Sequence, residues 1–349
     1  MNQPAITQRP AATGNAVEIR DLHVRFPVRS GLLRRPVGAV HAVDGVSFDI
    51  PEGQTVGLVG ESGSGKTTTG RALLGLSPAN AGAIRLFGKP LEDLATPEKD
   101  LQKLGQLVFQ DPYASLNPRL TVGWTLSETL YVHGLSDGGA RKQKVRDLLD
   151  QVGLRPEIAD RYPVALSGGQ RQRIAIARAL AVNPRFMVLD EVVSALDVSI
   201  QGQILNLLLD LQREHNLTYL FITHDLSVVR YVSHKVVVLY GGQIMEEGPT
   251  EAIFGSPRHP YTHTLLSALP VPDPVVQRAK RGLEIRTEPP SVTDPTDGCR
   301  FQGSCPFADD TCRSVAPGLR PAPSGQRVAC HHFESIDIPS DQIGITRDV

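Results

Sequence analysis

Residues 59–68 constrain this chain more than any other stretch. Gly60, Glu61, Ser62, Gly63, Ser64, Gly65, Lys66, Thr67 and Thr68 match G-x-x-x-x-G-K-[ST] at each defined position. The apolar run 55–59 leads in as a buried strand would, and the segment 67–76 is compatible with a helix. Glycines let the backbone curl round a polyphosphate so that its N–H groups and the helix N-terminus face the anion. Lys66 then supplies a point charge near the β- and γ-phosphates, and the Thr67 hydroxyl is placed to ligate Mg²⁺. The pattern implies a nucleoside triphosphate site.

The length of 349 residues suggests two domains, or one large domain with an appendage, and 40% hydrophobic content suffices for a sizeable core. Balanced charge, 36 basic against 37 acidic residues, leaves no electrostatic footprint for nucleic acid. No apolar run is long enough to span a bilayer, and residues 1–15 read as a polar, flexible tail without a signal-peptide core. All four cysteines fall between Cys299 and Cys330, which marks a separate C-terminal module.

Along the chain, 17–20 and 22–26 alternate as half-buried strands, 27–38 reads as a loop, and strand pattern resumes from 39 to 50. Phe26 is a candidate platform for stacking adenine, with simple packing as the alternative. Residues 83–89 read as a hairpin arm, and a short buried-type strand at 107–109 ends on the polar Gln110. From 121 to about 160 the patterning is largely helical, as expected of a helical subdomain inserted in an α/β core.

Ser167, Gly168, Gly169 and Gln170 precede a strong helix former, with Ser167 as a good N-cap and the glycines exposing the first N–H groups. This is a second potential phosphate site. The run 186–189 is fully apolar, as in a parallel sheet, and ends in Asp190 and Glu191. The β-rich run 219–223 delivers His224 and Asp225 to a strand end, where open α/β sheets bind ligands.

Taken together, these motifs resemble the ATP-binding subunits of ABC transporters over roughly residues 17–248. Residues 60–68 look like Walker A, Gln110 the Q-loop, 166–170 the LSGGQ signature, 186–190 Walker B, and 194–197 the D-loop ending in Asp197. The fold implied is α/β, a P-loop NTPase of the ABC ATPase type: a RecA-like core with an antiparallel β subdomain and an inserted helical subdomain, plus a small irregular cysteine-containing region. The corresponding boundaries are a tail at 1–15, an ATPase domain at 16–254 with its helical subdomain at about 111–165, and a C-terminal region at 255–349.

The resemblance also implies roles. Two such domains pack head to tail, so that Ser167 and Gly168 of one chain, backed by Gly169, Gln170 and Asp197, face the γ-phosphate held by the other chain's phosphate loop. Asp190, with Thr67 and Gln110, holds the Mg²⁺ shell, Glu191 is the general base, His224 contacts the γ-phosphate, and Gln110 senses metal and water. One departure stands out: Val192 and Val193 occupy positions where the family usually has proline and a small residue.

Residues 109–119, 194–203 and 259–270 resemble most the F-type ATPase subunit of oligopeptide/dipeptide importers, with nickel and glutathione importers as similar relatives. The implied partners are two membrane-spanning permease subunits, a second ABC ATPase subunit and a peptide-binding receptor protein, without nucleic acid. The implied location is the cytoplasmic face of the membrane, as a peripheral subunit. The helical insertion from Gln110 to about 160 is the expected permease contact, with Tyr113, Leu116 and Trp124 packing either against that partner or in the core. Two other readings are a soluble ABC ATPase of repair or translation and a metal-cluster sensor that binds ATP. A single motif set without heptads argues against the first.

Cys299, Cys305, Cys312 and Cys330 lie in a Pro- and Gly-rich segment with little periodicity and no short C-x-x-C knuckle. Four thiolates suit zinc or an iron–sulfur cluster, and reduced unliganded cysteines remain the third reading. The resemblance to peptide-importer ATPases implies a 4Fe-4S cluster first, with Zn²⁺ as the alternative and His331 or His332 as substitute zinc ligands. Loss of the metal is expected to unfold this segment locally.

Overall fold

The computed structural model describes residues 14–30, 35–94, 98–111, 115–269 and 297–336. Most of the expected tail, Tyr113 and Pro270 lie outside them. The strands in chain order are β1 (Asn15–Ser30), β2 (Arg35–Val46), β3 (Asp49–Pro51), β4 (Thr55–Val59), β5 (Ala81–Leu86), β6 (Lys89–Pro90) and β7 (Gly105–Val108). There follow β8 (Phe186–Asp190), β9 (Thr218–Ile222), β10 (Lys235–Tyr240), β11 (Gln243–Pro249), β12 (Arg320–Pro321) and β13 (Arg327–Val328).

They form two sheets. The first is antiparallel, ordered β2-β1-β5-β6 with β3 also on β1. The expected loop at 27–38 is corrected here: Pro27 pairs with Ala39, Val28 with Gly38 and Ser30 with Arg35, so 27–30 and 35–38 belong to the ladder. Pro27 of β1 lies beyond the β1–β5 pairing, which ends at His23, and Pro36 lies on the edge strand β2, so neither missing N–H breaks a ladder on both sides. Phe87 and Gly88 both have positive φ, the conformation a two-residue hairpin between β5 and β6 requires.

The second sheet runs β12-β13-β11-β10-β4-β9-β8-β7, with β10, β4, β9, β8 and β7 mutually parallel. β4, β8 and β9 are buried along their whole length. Their side chains alternate between two cores. Met187, Leu189, Tyr219 and Phe221 pack toward the helical subdomain, whereas Phe186, Val188, Leu220 and Ile222 pack toward the antiparallel sheet.

The helical subdomain comprises the helices Val122–Val132 and Gly138–Gln151 with two short 3₁₀ turns, and its Leu126, Leu130, Val145 and Leu149 join the first core. Among the described residues, no helix is long and apolar enough to cross a membrane.

The cysteine-bearing segment returns to the sheet. β13 pairs antiparallel with β11, and the Ala329 N–H donates to the Met245 carbonyl at 2.8 Å. Gln326, almost fully buried, donates to Glu246 and to the carbonyls of Ala252 and Ser256. Glu246 also accepts from the N–H groups of Arg258 and His259. Burial pushes its carboxyl up to about 7, opposed by these donors and by Thr262. A continuous sheet and a buried polar knot therefore attach residues 297–336 to the core.

Candidate nucleotide and metal sites

The phosphate loop leaves β4 and enters the helix Lys66–Leu73. Gly60 (φ 150°) and Gly65 (φ 101°) are the positions where only glycine fits. A Cβ would lie 2.1 Å from the Leu239 carbonyl in the first case and 2.2 Å from the Ala42 carbonyl in the second. Lys66, buried, turns back on its own loop and donates to the carbonyls of Gly60 (2.8 Å) and Glu61 (2.7 Å). Burial lowers its pKa, while the charges of Glu191, Asp190 and Glu61 raise it. Ser64 is buried, whereas Glu61, Ser62 and Gly63 are exposed.

Opposite the loop stand the ends of β8 and β9. Thr67 Oγ1 donates to Asp190 Oδ1 at 3.0 Å. Burial raises the Asp190 carboxyl, with the Thr67 hydroxyl opposing. Gln110 Nε2 donates to Glu191 Oε2 at 2.7 Å, and His224 Nδ1 lies 3.1 Å from Glu191 Oε1. Both oxygens of one carboxylate are thus engaged from two sides.

Glu191 has φ 48°, left-handed backbone for a non-glycine residue, and its N–H is held by the Ile222 carbonyl at 2.9 Å. Val192 and Val193 are nearly fully buried in the first core. Apolar burial anchors the turn after Glu191 where proline would restrict it through φ.

Ser167 caps the helix Gly168–Leu180, accepting from the Gln170 N–H at 3.3 Å, while the Gln170 side chain accepts from the Ser167 N–H at 3.1 Å. A Cβ on Gly169 would sit 2.6 Å from Ile200 Cγ2, so the signature packs against the helix Val198–His215 that Asp197 precedes. Ser167 and Asp197 are exposed, and Val198 is 83% exposed. Among the described residues no hydrogen bond joins 167–170 to 60–68. One chain therefore assembles the phosphate loop with Asp190, Glu191, Gln110 and His224, and presents its signature separately. Phe26 pairs with Val40 in the hairpin, two residues from the Ala42 that abuts Gly65, and is 38% exposed.

Sequence reasoning missed Tyr261, whose hydroxyl accepts from the Glu61 N–H at 3.0 Å. It also missed Arg300, whose guanidinium pairs with Asp44 of β2. Both contacts span 200 residues or more of chain, and no local pattern carries them.

The four cysteines line one pocket with His331 and His332, and none is disulfide-bonded. Burial lifts the Cys299 thiol to about 11 and the Cys305 thiol to about 12, reinforced by the neighbouring thiols. Burial raises Cys312 and Cys330 as well. Buried thiols grouped in this way favour a cation that stabilises their thiolates.

Among the described residues, the group of donor atoms lying within 4.8 Å of one another is Asp309, Cys312 and His332, and no three cysteines meet that spacing. A single zinc ion, with Zn–S near 2.3 Å, requires its sulfurs roughly 3.8 Å apart. By that spacing a single ion is offered Asp309, Cys312 and His332 rather than the four sulfurs.

Comparison with known proteins is consistent across the chain. The sequence profile "ABC transporter" matches residues 43–194, and "Oligopeptide/dipeptide transporter, C-terminal region" matches 245–312. The glutathione import ATP-binding protein GsiA of Salmonella paratyphi A is 55% identical over 268 residues, covering 76% of this chain and 43% of that protein. The Escherichia coli K12 protein of the same name is 54% identical over 282 residues, covering 80% and 45%. The chain thus spans less than half the length of these curated relatives.

Among solved structures, a post-hydrolysis dimer of the ATP-binding cassette MJ0796 bound to ADP and Pi aligns with TM-score 0.59 and 29% identity, over 67% of this chain and 98% of that one. The structure of cbiO1 from Clostridium perfringens, part of the cbiONQ complex, aligns with TM-score 0.60 and 25% identity, over 69% and 91%.

Proposed function

Because this chain belongs to the ABC transporter family, with the C-terminal region of its oligopeptide/dipeptide branch, we propose that it is an ATP-hydrolysing importer subunit. The observation that carries this reading is the convergence on Glu191 of Gln110 and His224, beside the Thr67–Asp190 pair and Lys66.

In this reading Lys66 and the loop N–H groups bind the β- and γ-phosphates. Thr67 and Asp190 hold Mg²⁺, which supplies charge neutralisation on those phosphates. Glu191 accepts a proton from the water that attacks the γ-phosphorus as the bond to the ADP oxygen breaks. Gln110 and His224 fix the direction of that carboxylate, and Phe26 stacks the adenine. Ser167, Gly168 and Asp197 serve a nucleotide bound to a second ATPase subunit, which suits their exposure and their separation from this chain's own loop. Two permease subunits and a receptor protein complete the assembly at the cytoplasmic face of the membrane.

For the substrate, the relatives favour glutathione over the general di- and oligopeptide reading of the sequence. In reconstituted vesicles containing the permeases and receptor, glutathione is expected to stimulate ATP hydrolysis and to be taken up. Stimulation by dipeptides or nickel alone would refute this choice.

For the cysteines we favour a 4Fe-4S cluster, a one-electron redox group, held by Cys299, Cys305, Cys312 and Cys330. Zinc on Asp309, Cys312 and His332 is the alternative that the donor spacing supports. Iron with equimolar acid-labile sulfide in anaerobically purified protein is the expected result, and zinc without sulfide would decide for the alternative.

A further inference from the structure

Three consecutive residues leave the cysteine pocket toward the nucleotide site. Cys299 lines the pocket. The Arg300 side chain, 5% exposed, pairs with Asp44 on the strand that abuts the phosphate loop. Phe301, buried, packs its ring 5.3 Å from both Tyr261 and Tyr240. Tyr261 is fully buried, lies 4.5 Å from the Tyr240 ring, and accepts the Glu61 N–H at 3.0 Å.

Glu61 is therefore gripped at both ends: its N–H by Tyr261 and its carbonyl by Lys66 at 2.7 Å. When Lys66 turns to a phosphate it releases that carbonyl. The Tyr261 hydroxyl is then the side chain that keeps this part of the loop in place.

We propose that Tyr261 is a positioning residue for the phosphate loop, and that the cysteine pocket acts on nucleotide affinity through Phe301 and Tyr261. The inference rests on the reading of all four cysteines, Cys299 and Cys305 among them, as ligands of one metal group; zinc held by Asp309, Cys312 and His332 alone would overturn the coupling. Cys299 and Cys305 flank Phe301, and the backbone bonds Cys299 N–H to Cys312 O (2.8 Å) and Cys305 N–H to Phe301 O (3.0 Å) hold the turn between them. A metal group bonded to both cysteines fixes Phe301 against Tyr261. Its loss loosens that ring contact and, through it, the bond to Glu61.

The test uses the full chain, purified anaerobically, as isolated and after chelation under oxidising conditions, with a fluorescent ATP analogue as probe. Tyr261→Phe keeps the ring and removes only the acceptor. It is expected to weaken nucleotide binding roughly three- to tenfold without changing iron or zinc content. Chelation is expected to weaken binding by a similar factor in the unsubstituted chain and to add little in Tyr261→Phe, because both act on the same bond.

A merely structural tyrosine would lower the melting temperature and leave affinity and its metal dependence untouched, which would overturn the proposal. So would a Tyr261→Phe protein with the full response to chelation, since the route would then bypass Tyr261. A chain that purifies with no metal would defeat the ligand reading and the coupling. Tyr261→Phe affinity would still decide the positioning role on its own.

Discussion

The phosphate loop meets Tyr261 at the Glu61 N–H and the cysteine pocket meets it at Phe301; burial disfavours the charged form in both regions, but the groups that answer it differ. In the loop, the buried Lys66 ammonium is satisfied by carbonyls of its own turn, and Asp190 by the Thr67 hydroxyl. In the pocket, burial raises all four thiols, and neighbouring thiols add to the rise of Cys299, Cys305 and Cys330 against backbone N–H donors that lower them. The first region is built to hold its shape and exchange its ligand. In the second, on the proposed ligand reading, a bound cation would become part of the fold. Substrate sites and structural sites differ in this way because turnover requires release.

Substitution and metal removal put each side of that contrast to the test. Lys66→Ala is expected to lower nucleotide affinity several hundredfold, from the loss of charge-assisted bonds to two phosphates, with little change in melting temperature. Equilibrium binding and thermal denaturation on one preparation check it. A fold that collapsed with the lysine would show the loop to be as structural as the pocket.

Chelation is expected to speed amide exchange in 297–336 on the order of a hundredfold while β4 and β9 keep their protection, as hydrogen-exchange mass spectrometry would record. Glu246→Gln turns an acceptor of several N–H donors into a group with its own NH₂ facing them. It is expected to cost about 2 kcal/mol in denaturant unfolding and to release the C-terminal segment first. Ser167→Ala removes a helix cap and is expected to cost about 1 kcal/mol while leaving this chain's own nucleotide affinity unchanged.

The nucleotide half of this contrast could be read from the sequence because its signals are local. The strand, glycine loop and helix of 55–73 are contiguous, and the apolar run 186–189 ends on the two carboxylates it presents. The other half could not. β12 and β13 are two residues each, too short for any alternation to show; β13 pairs on the edge that β11 offers, and β12 pairs on β13. The same holds for Tyr261 and Arg300, which act across 200 or more residues. Pro27 and Pro36 read locally as a loop, yet a ladder with register shifts at the sheet edge absorbs them. Val192 and Val193 look like a lost constraint in sequence, whereas burial in the core supplies one in the fold.

The Glu191 carboxylate is held by Gln110 and His224, and the proposed function has it take a proton from water. Glu191→Gln, measured for ATP binding and steady-state hydrolysis on the same preparation, tests it most directly. Affinity is expected to stay within about threefold while turnover falls at least a hundredfold. Turnover within tenfold of the unsubstituted chain, at saturating ATP, would contradict the assignment.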